Sequence, residues 1–120
     1  PGLAARLGAK NPHIRRQQET FMIAFVRVAS VKPGNQVTAM GFAKEIAGFL
    51  KSSHHLDVEV LRPVGGNPQR IAWSARYADL AAFEAASTKM LADPKYWEMV
   101  NGAADCFIAG SMHDGIWQTV

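Results

Sequence analysis

Hydrophobic and polar positions along this chain change period several times, and each change marks an element. Residues 20 to 31, "TFMIAFVRVASV", form a β-branched and aromatic run without Gly or Pro, closed by Pro33-Gly34, which predicts a central strand. Side chains alternate with period 2, so Phe21, Ile23, Phe25, Arg27 and Ala29 share one face and Met22, Ala24, Val26 and Val28 the other. After the turn, Ala39, Phe42, Ala43, Ile46, Phe49 and Leu50 recur at steps of three and four, the stripe of an amphipathic helix ending near Ser52 or His54, with Asn35 as its N-cap. "LDVEVLRPV" alternates again until "GGNP" stops it, and "QRIAWSARY" follows closely enough for an antiparallel hairpin. "ADLAAFEAASTKML" returns to helical spacing through Leu80, Phe83, Met90 and Leu91. "DPKYWEMVNGA" predicts a short helix with Asp93 as cap, Pro94 at its first position and Gly102 past its end. The last strand is "CFIAGSMHDGIWQTV", with Gly110 and Gly115 as candidate bulges or bends.

The order strand, helix, strand, strand, helix, strand is that of an α+β, ferredoxin-like βαββαβ domain: a four-stranded antiparallel sheet with its helices on one face. Two units are expected, an N-terminal arm or packing segment over 1–19 and the domain over 20–120. Helices on one face leave the other bare. The bare face is expected to carry Phe21, Ile23, Phe25 and Trp117, and such a patch normally marks an interface, here a homodimer closing two sheets over each other.

Composition narrows the function classes. With 120 residues, 48% hydrophobic and 19% charged, the chain suits one domain with its own core. No apolar stretch approaches the roughly 20 residues of a membrane-spanning helix and no signal-peptide pattern opens the chain, so a cytoplasmic location is expected. The single Cys106 has no disulfide partner and reads as a small buried hydrophobe. The net charge of +3 does not indicate nucleic acid. Arg6, Lys10, Arg15 and Arg16 against Glu19 account for it, whereas residues 20 to 120 balance nine basic with nine acidic groups and gather no basic face.

"FVRVASVKPGN", "LDVEVLRPV" and "RIAWSARYADLAAFEA", in this order and spacing, resemble the dimeric α/β-barrel superfamily, in particular its antibiotic-biosynthesis-monooxygenase-like and NIPSNAP-like branches, over about residues 20 to 120. The resemblance implies a homodimer. Superfamily members include cofactor-independent oxygenases, polyketide cyclases, haem-degrading and haem-binding proteins, and proteins without known activity. Monooxygenase-like members often carry a tryptophan at the end of the third strand and a histidine about nine residues later. Tyr77 and Ala86 stand at those places here, which counts against the monooxygenase and haem-degrading forms.

The candidate chemistry centres on the last strand. His113 and Asp114 are adjacent, so on a strand they point to opposite faces and cannot form a catalytic pair. If Ile108, Met112 and Ile116 face the helices, then Phe107, Ala109, Ser111, His113 and Trp117 face the space enclosed by a dimer, together with Arg27 and Glu59. On that placement His113 is the candidate acid or base and Arg27 the candidate oxyanion holder. Phe25, Glu59, Ser111, Trp117 and Tyr77 are the candidate pocket residues for a small apolar or aromatic ligand. The alternative is that Arg27, Glu59 and His113 make interface pairs. Bulges at Gly110 and Gly115 would exchange inside and outside. Trp73 is expected in the core, and His54-His55 at a solvated helix end. No metal site and no cofactor are expected. Haem, ligated by His113, His54 or His55, is the alternative, as is a non-catalytic interaction or stress module.

Overall fold

Four strands order themselves β2-β3-β1-β4 in the computed structural model, which describes residues 21–120. The predicted arm over 1–19 lies outside the described residues. The elements are β1 (Ile23–Ser30), α1 (Gln36–His54), β2 (Val58–Leu61), β3 (Arg70–Tyr77), α2 (Leu80–Leu91), α3 (Pro94–Gly102), a short 3-10 turn (Ala104–Cys106) and β4 (His113–Gln118). All three ladders are antiparallel, and β1 occupies the centre between β3 and β4.

Local chemistry explains the punctuation. Lys32 to Asn35 close a turn through Asn35 N–H donating to the Lys32 carbonyl at 3.0 Å, with Gly34 at φ +89° where a side chain would be strained. Asn35 occupies the N-cap of α1, but its side chain makes no cap bond. Asp79 and Asp93 do cap, accepting from the amides of Ala82 at 2.8 Å and Lys95 at 2.9 Å, and Pro94 opens α3 as its sequence predicts. Helix α3 runs through Gly102, with Ala103 as its C-cap.

The stripe on α1 is buried as the periodicity demands: Ala39, Ala43, Ile46 and Leu50 face the sheet. Two clusters form the core, one of Val31, Ala39, Ala43, Ile71 and Cys106, the other of Ile46, Leu50 and Tyr96. The first lies between α1, the sheet and the 3-10 turn, the second between α1, α3 and the sheet. Helix α2 buries none of its residues, and it meets the sheet through Phe83, whose ring lies against Phe25 and Tyr77.

The sheet's faces are assigned the other way from the expectation for β1. Ile23, Phe25, Arg27 and Ala29 look toward the helices: the Phe25 ring lies 5.4 Å from Phe83 of α2, and Arg27 reaches Tyr96 of α3. The bare face carries Ala24, Val26 and Val28, with Trp117 and His113 as their partners on β4. Placing Ile23 and Phe25 on the bare face is therefore incorrect. The physical reason is volume, because the larger side chains of β1 fill the space under the helices.

Candidate functional site

A cavity of about 1040 Å³ separates α2 from the sheet. Its walls are chiefly apolar, with Phe25 and Ile116 from the sheet, Trp73 and Phe107 at its back, and Phe83 and Met90 from α2. Leu80, Ile108, Met112 and Ile116 stay exposed around it. Such a space, apolar with a few directed polar groups, is the usual form of a small-molecule site.

Two of the polar side chains that line it stand out. Arg27 projects from the middle of β1, and its guanidinium grips Asp114 with both prongs, Nε donating to Oδ1 at 2.8 Å and Nη2 to Oδ2 at 2.9 Å. Nη1 donates to the hydroxyl of the buried Tyr96 at 3.4 Å. The hydrogen bond to Asp114 is the main reason that the Arg27 pKa rises above its ordinary value, against the opposing effect of burial. Register explains the pair, since Arg27 and Asp114 are direct partners across the β1–β4 ladder. Tyr77 is the second group. It packs edge-on against Phe83 at 5.2 Å, and burial pushes its hydroxyl pKa up, so it stays a neutral phenol. Tyr77 pairs with Ile23, four residues from Arg27 along β1, which separates the two polar groups by about 13 Å at the ordinary rise of a strand.

No family profile matches this sequence. No curated protein matches it either. Solved structures do match in fold. A NIPSNAP family protein of unknown function from Agrobacterium tumefaciens superposes with a TM-score of 0.70 at 16% identity, over 84% of this chain and 90% of that one. This chain has the ferredoxin-like fold. A variant of SnoaB, a cofactor-independent oxygenase from Streptomyces nogalater, matches with a TM-score of 0.60 at 16% identity, over 82% of this chain and 92% of that one. A dimeric protein of unknown function and ferredoxin-like fold from Bacteroides fragilis matches at 0.62 and 13%, over 82% and 96%. The resemblance to the NIPSNAP-like and monooxygenase-like branches is thus supported at the level of fold.

Within this fold the expected site residues divide between two faces. Arg27, Phe25, Tyr77 and Ser111 line the cavity on the helix side. His113, Glu59 and Trp117 belong to the bare face: His113 pairs with Val28, Trp117 with Ala24, and Glu59 with Ser74, which itself pairs with Val26. Arg27 and His113 therefore cannot act on one molecule from the same side of the sheet, which corrects the expectation that they converge. Phe107, expected on the bare face, packs against Phe42 and Trp73 at 6.0 and 6.2 Å on the helix side. Residues 106 to 112 are not strand. Ser111 N–H closes a turn on the Ile108 carbonyl at 3.2 Å, Gly110 sits at φ +76°, and the count of alternate faces shifts by one before β4 begins.

Trp73 is both core and wall, its indole N–H donating to the Ala43 carbonyl at 3.4 Å while its ring lines the cavity. The residue that sequence reasoning missed is Asp114. Its signal was its even parity with Ile116, which assigned it to the helix face.

The two neighbouring histidines separate. His55 is exposed in the left-handed conformation that ends α1. His54, expected in solvent, has a side chain only 6% exposed, and its Nε2 lies 2.7 Å from Asp93 Oδ2. His54 Nδ1 is buried with no partner among the described residues. None of His54, His55 and His113, the axial ligands named for the haem alternative, lines the cavity. Among the described residues, no three His, Cys, Asp or Glu side chains gather into a metal-holding group, and no helix is long and apolar enough to cross a membrane.

Proposed function

We propose that this chain binds a small, largely apolar or aromatic molecule in the cavity between α2 and the sheet, and that it works as a homodimer joined through the bare sheet faces. The cavity itself carries the reading: about 1040 Å³ of mainly apolar space with Arg27 and Tyr77 as its directed polar groups. The dimer draws support from the exposed apolar residues of the bare face and from the ferredoxin-like neighbour described as dimeric.

The likeness to SnoaB suggests the enzymatic form of this reading, a cofactor-independent oxidation or cyclisation of an activated aromatic or polyketide-like substrate. In that form the two N–H groups of Arg27 left free by Asp114 and Tyr96 would hold the carbonyl or phenol oxygen of the substrate, and Tyr77 would exchange a hydrogen bond with its far end. The acid or base role expected for His113 moves to a group on the helix side, since His113 lies behind the sheet.

The test is binding of the neutral fluorophore N-phenyl-1-naphthylamine. The wild-type chain should bind it with a blue shift, and Ala86→Phe, which fills the cavity from α2, should weaken binding at least about ten-fold, as steric loss of a formed apolar site requires. Equal binding by both proteins would place the probe elsewhere and overturn the reading.

A further inference from the structure

We propose that Asp114 sets the charge selectivity of this cavity: by occupying the guanidinium of Arg27, it makes the site accept uncharged molecules bearing hydrogen-bond acceptors and reject aromatic carboxylates and sulfonates. The inference rests on the cavity being the binding site.

An arginine in an apolar pocket is ordinarily an anion receptor, because its planar fork matches a carboxylate with two parallel hydrogen bonds. Here that fork is filled. Nε and Nη2, the edge by which a guanidinium takes a carboxylate, donate to the two oxygens of Asp114, and Nη1 donates to Tyr96. Of the five N–H groups of Arg27, two remain for a ligand. They suit a neutral acceptor such as a ketone, ether or phenol oxygen. An anion would have to displace Asp114 or sit beside a like charge, and both cost free energy.

The rest of the lining agrees. Its charged groups are Arg27 and Lys32 against Glu84, Asp105 and Asp114, so it offers no surplus of positive charge. At the other end Tyr77 presents a neutral hydroxyl with no hydrogen bond to another described residue. Both ends of the space thus offer hydrogen bonds without net charge. Arg27 and Asp114 are 28% and 40% exposed, which leaves the pair open to a molecule entering the cavity.

A matched pair of probes isolates charge from shape. N-phenyl-1-naphthylamine and 8-anilinonaphthalene-1-sulfonate share one aromatic body and differ by the sulfonate. Titrated at neutral pH and low salt, the wild-type chain should bind the neutral probe more tightly. Asp114→Asn should tighten the sulfonate probe on the order of ten-fold while moving the neutral probe by no more than about two-fold. That gain should vanish in the double variant Asp114→Asn with Arg27→Gln, because it comes from the freed guanidinium. An unchanged ratio of the two affinities in Asp114→Asn, or a gain that survives in the double variant, overturns the proposal. Should Asp114→Asn lose its thermal transition, Arg27→Gln alone decides: an unmatched Asp114 should weaken the sulfonate probe relative to the neutral one, and no such change overturns the proposal. Failure of the neutral probe to bind the wild type would instead remove the cavity reading, and this inference with it.

Discussion

A methyl group added at Gly115 would stand 2.6 Å from the indole nitrogen of Trp117, closer than two such atoms can approach. The glycine lets the Trp117 ring fold back along the bare face of β4, where it remains 67% exposed. A large indole held flat on a sheet is a ready anchor for a protein contact. Gly115→Ala should change folding stability by less than about 0.5 kcal/mol, since the displaced ring is at the surface. It should nevertheless shift the Trp117 indole N–H resonance clearly, and an unshifted resonance would show that the ring does not rest on Gly115. Arg27 teaches the complementary point. It is a charged residue on the helix face of a central strand, tolerated because Asp114 and Tyr96 meet three of its N–H groups.

Among the elements, α3 is held by its first residues. Asp93 caps it by accepting from Lys95 N–H and also receives His54 from the end of α1, so one carboxylate ties the end of one helix to the start of another. Tyr96, less than one turn further on, is thereby seated in the core within reach of Arg27. The hydrogen bond from His54, then that from the Lys95 amide, holds the Asp93 carboxyl below the usual carboxylate range. A depressed folded pKa means that the unfolded chain binds the proton more readily. The contribution is complete above the unfolded value of about 4 and is lost as pH falls through the lower folded value. Urea midpoints should therefore drop on acidification below about pH 4, and Asp93→Asn should flatten the part of that slope due to this group. A slope identical in the two proteins would count against the clasp. His54→Ala, which also removes a buried ring against Phe49, should cost about 1 to 3 kcal/mol by the same denaturation.

At the scale of the whole molecule, the proposed dimer depends on the bare face. Its central rows read Arg76, Ala24, Trp117, then Glu59, Ser74, Val26, Gly115, then Leu61, Ala72, Val28, His113. Small side chains at the middle allow a second sheet to approach closely, and the flanking Trp117 supplies area. A stable interface of this kind buries about 1,200 to 2,000 Å² in total. The wild-type chain should sediment as a dimer. Val26→Asp, in the middle row, should sediment as a monomer with its far-ultraviolet circular dichroism retained. A wild-type monomer would remove the role given to this face.

Periodicity alone determined much of this protein. The β-branched run ending at Pro33-Gly34, the three-and-four spacing from Ala39 to Leu50, and Asp93-Pro94 each encode their element within a few residues, and their order implies the ferredoxin-like sheet. Which face of that sheet is covered is not a local property. Period 2 states that Phe25 and Val26 point opposite ways, but it is the register of β1 against β3 and β4, and the volume available under α2, that turns Phe25 and Arg27 toward the helices. The turn from Ile108 to Ser111 shifts the count of faces just before β4, so Asp114 meets Arg27 across 87 residues of chain. His54 and Asp93 meet the same way, 39 residues apart. Spacing along a chain specifies an element's stripe. Only packing between distant elements brings one stripe's polar residue to another's and leaves the cavity between them.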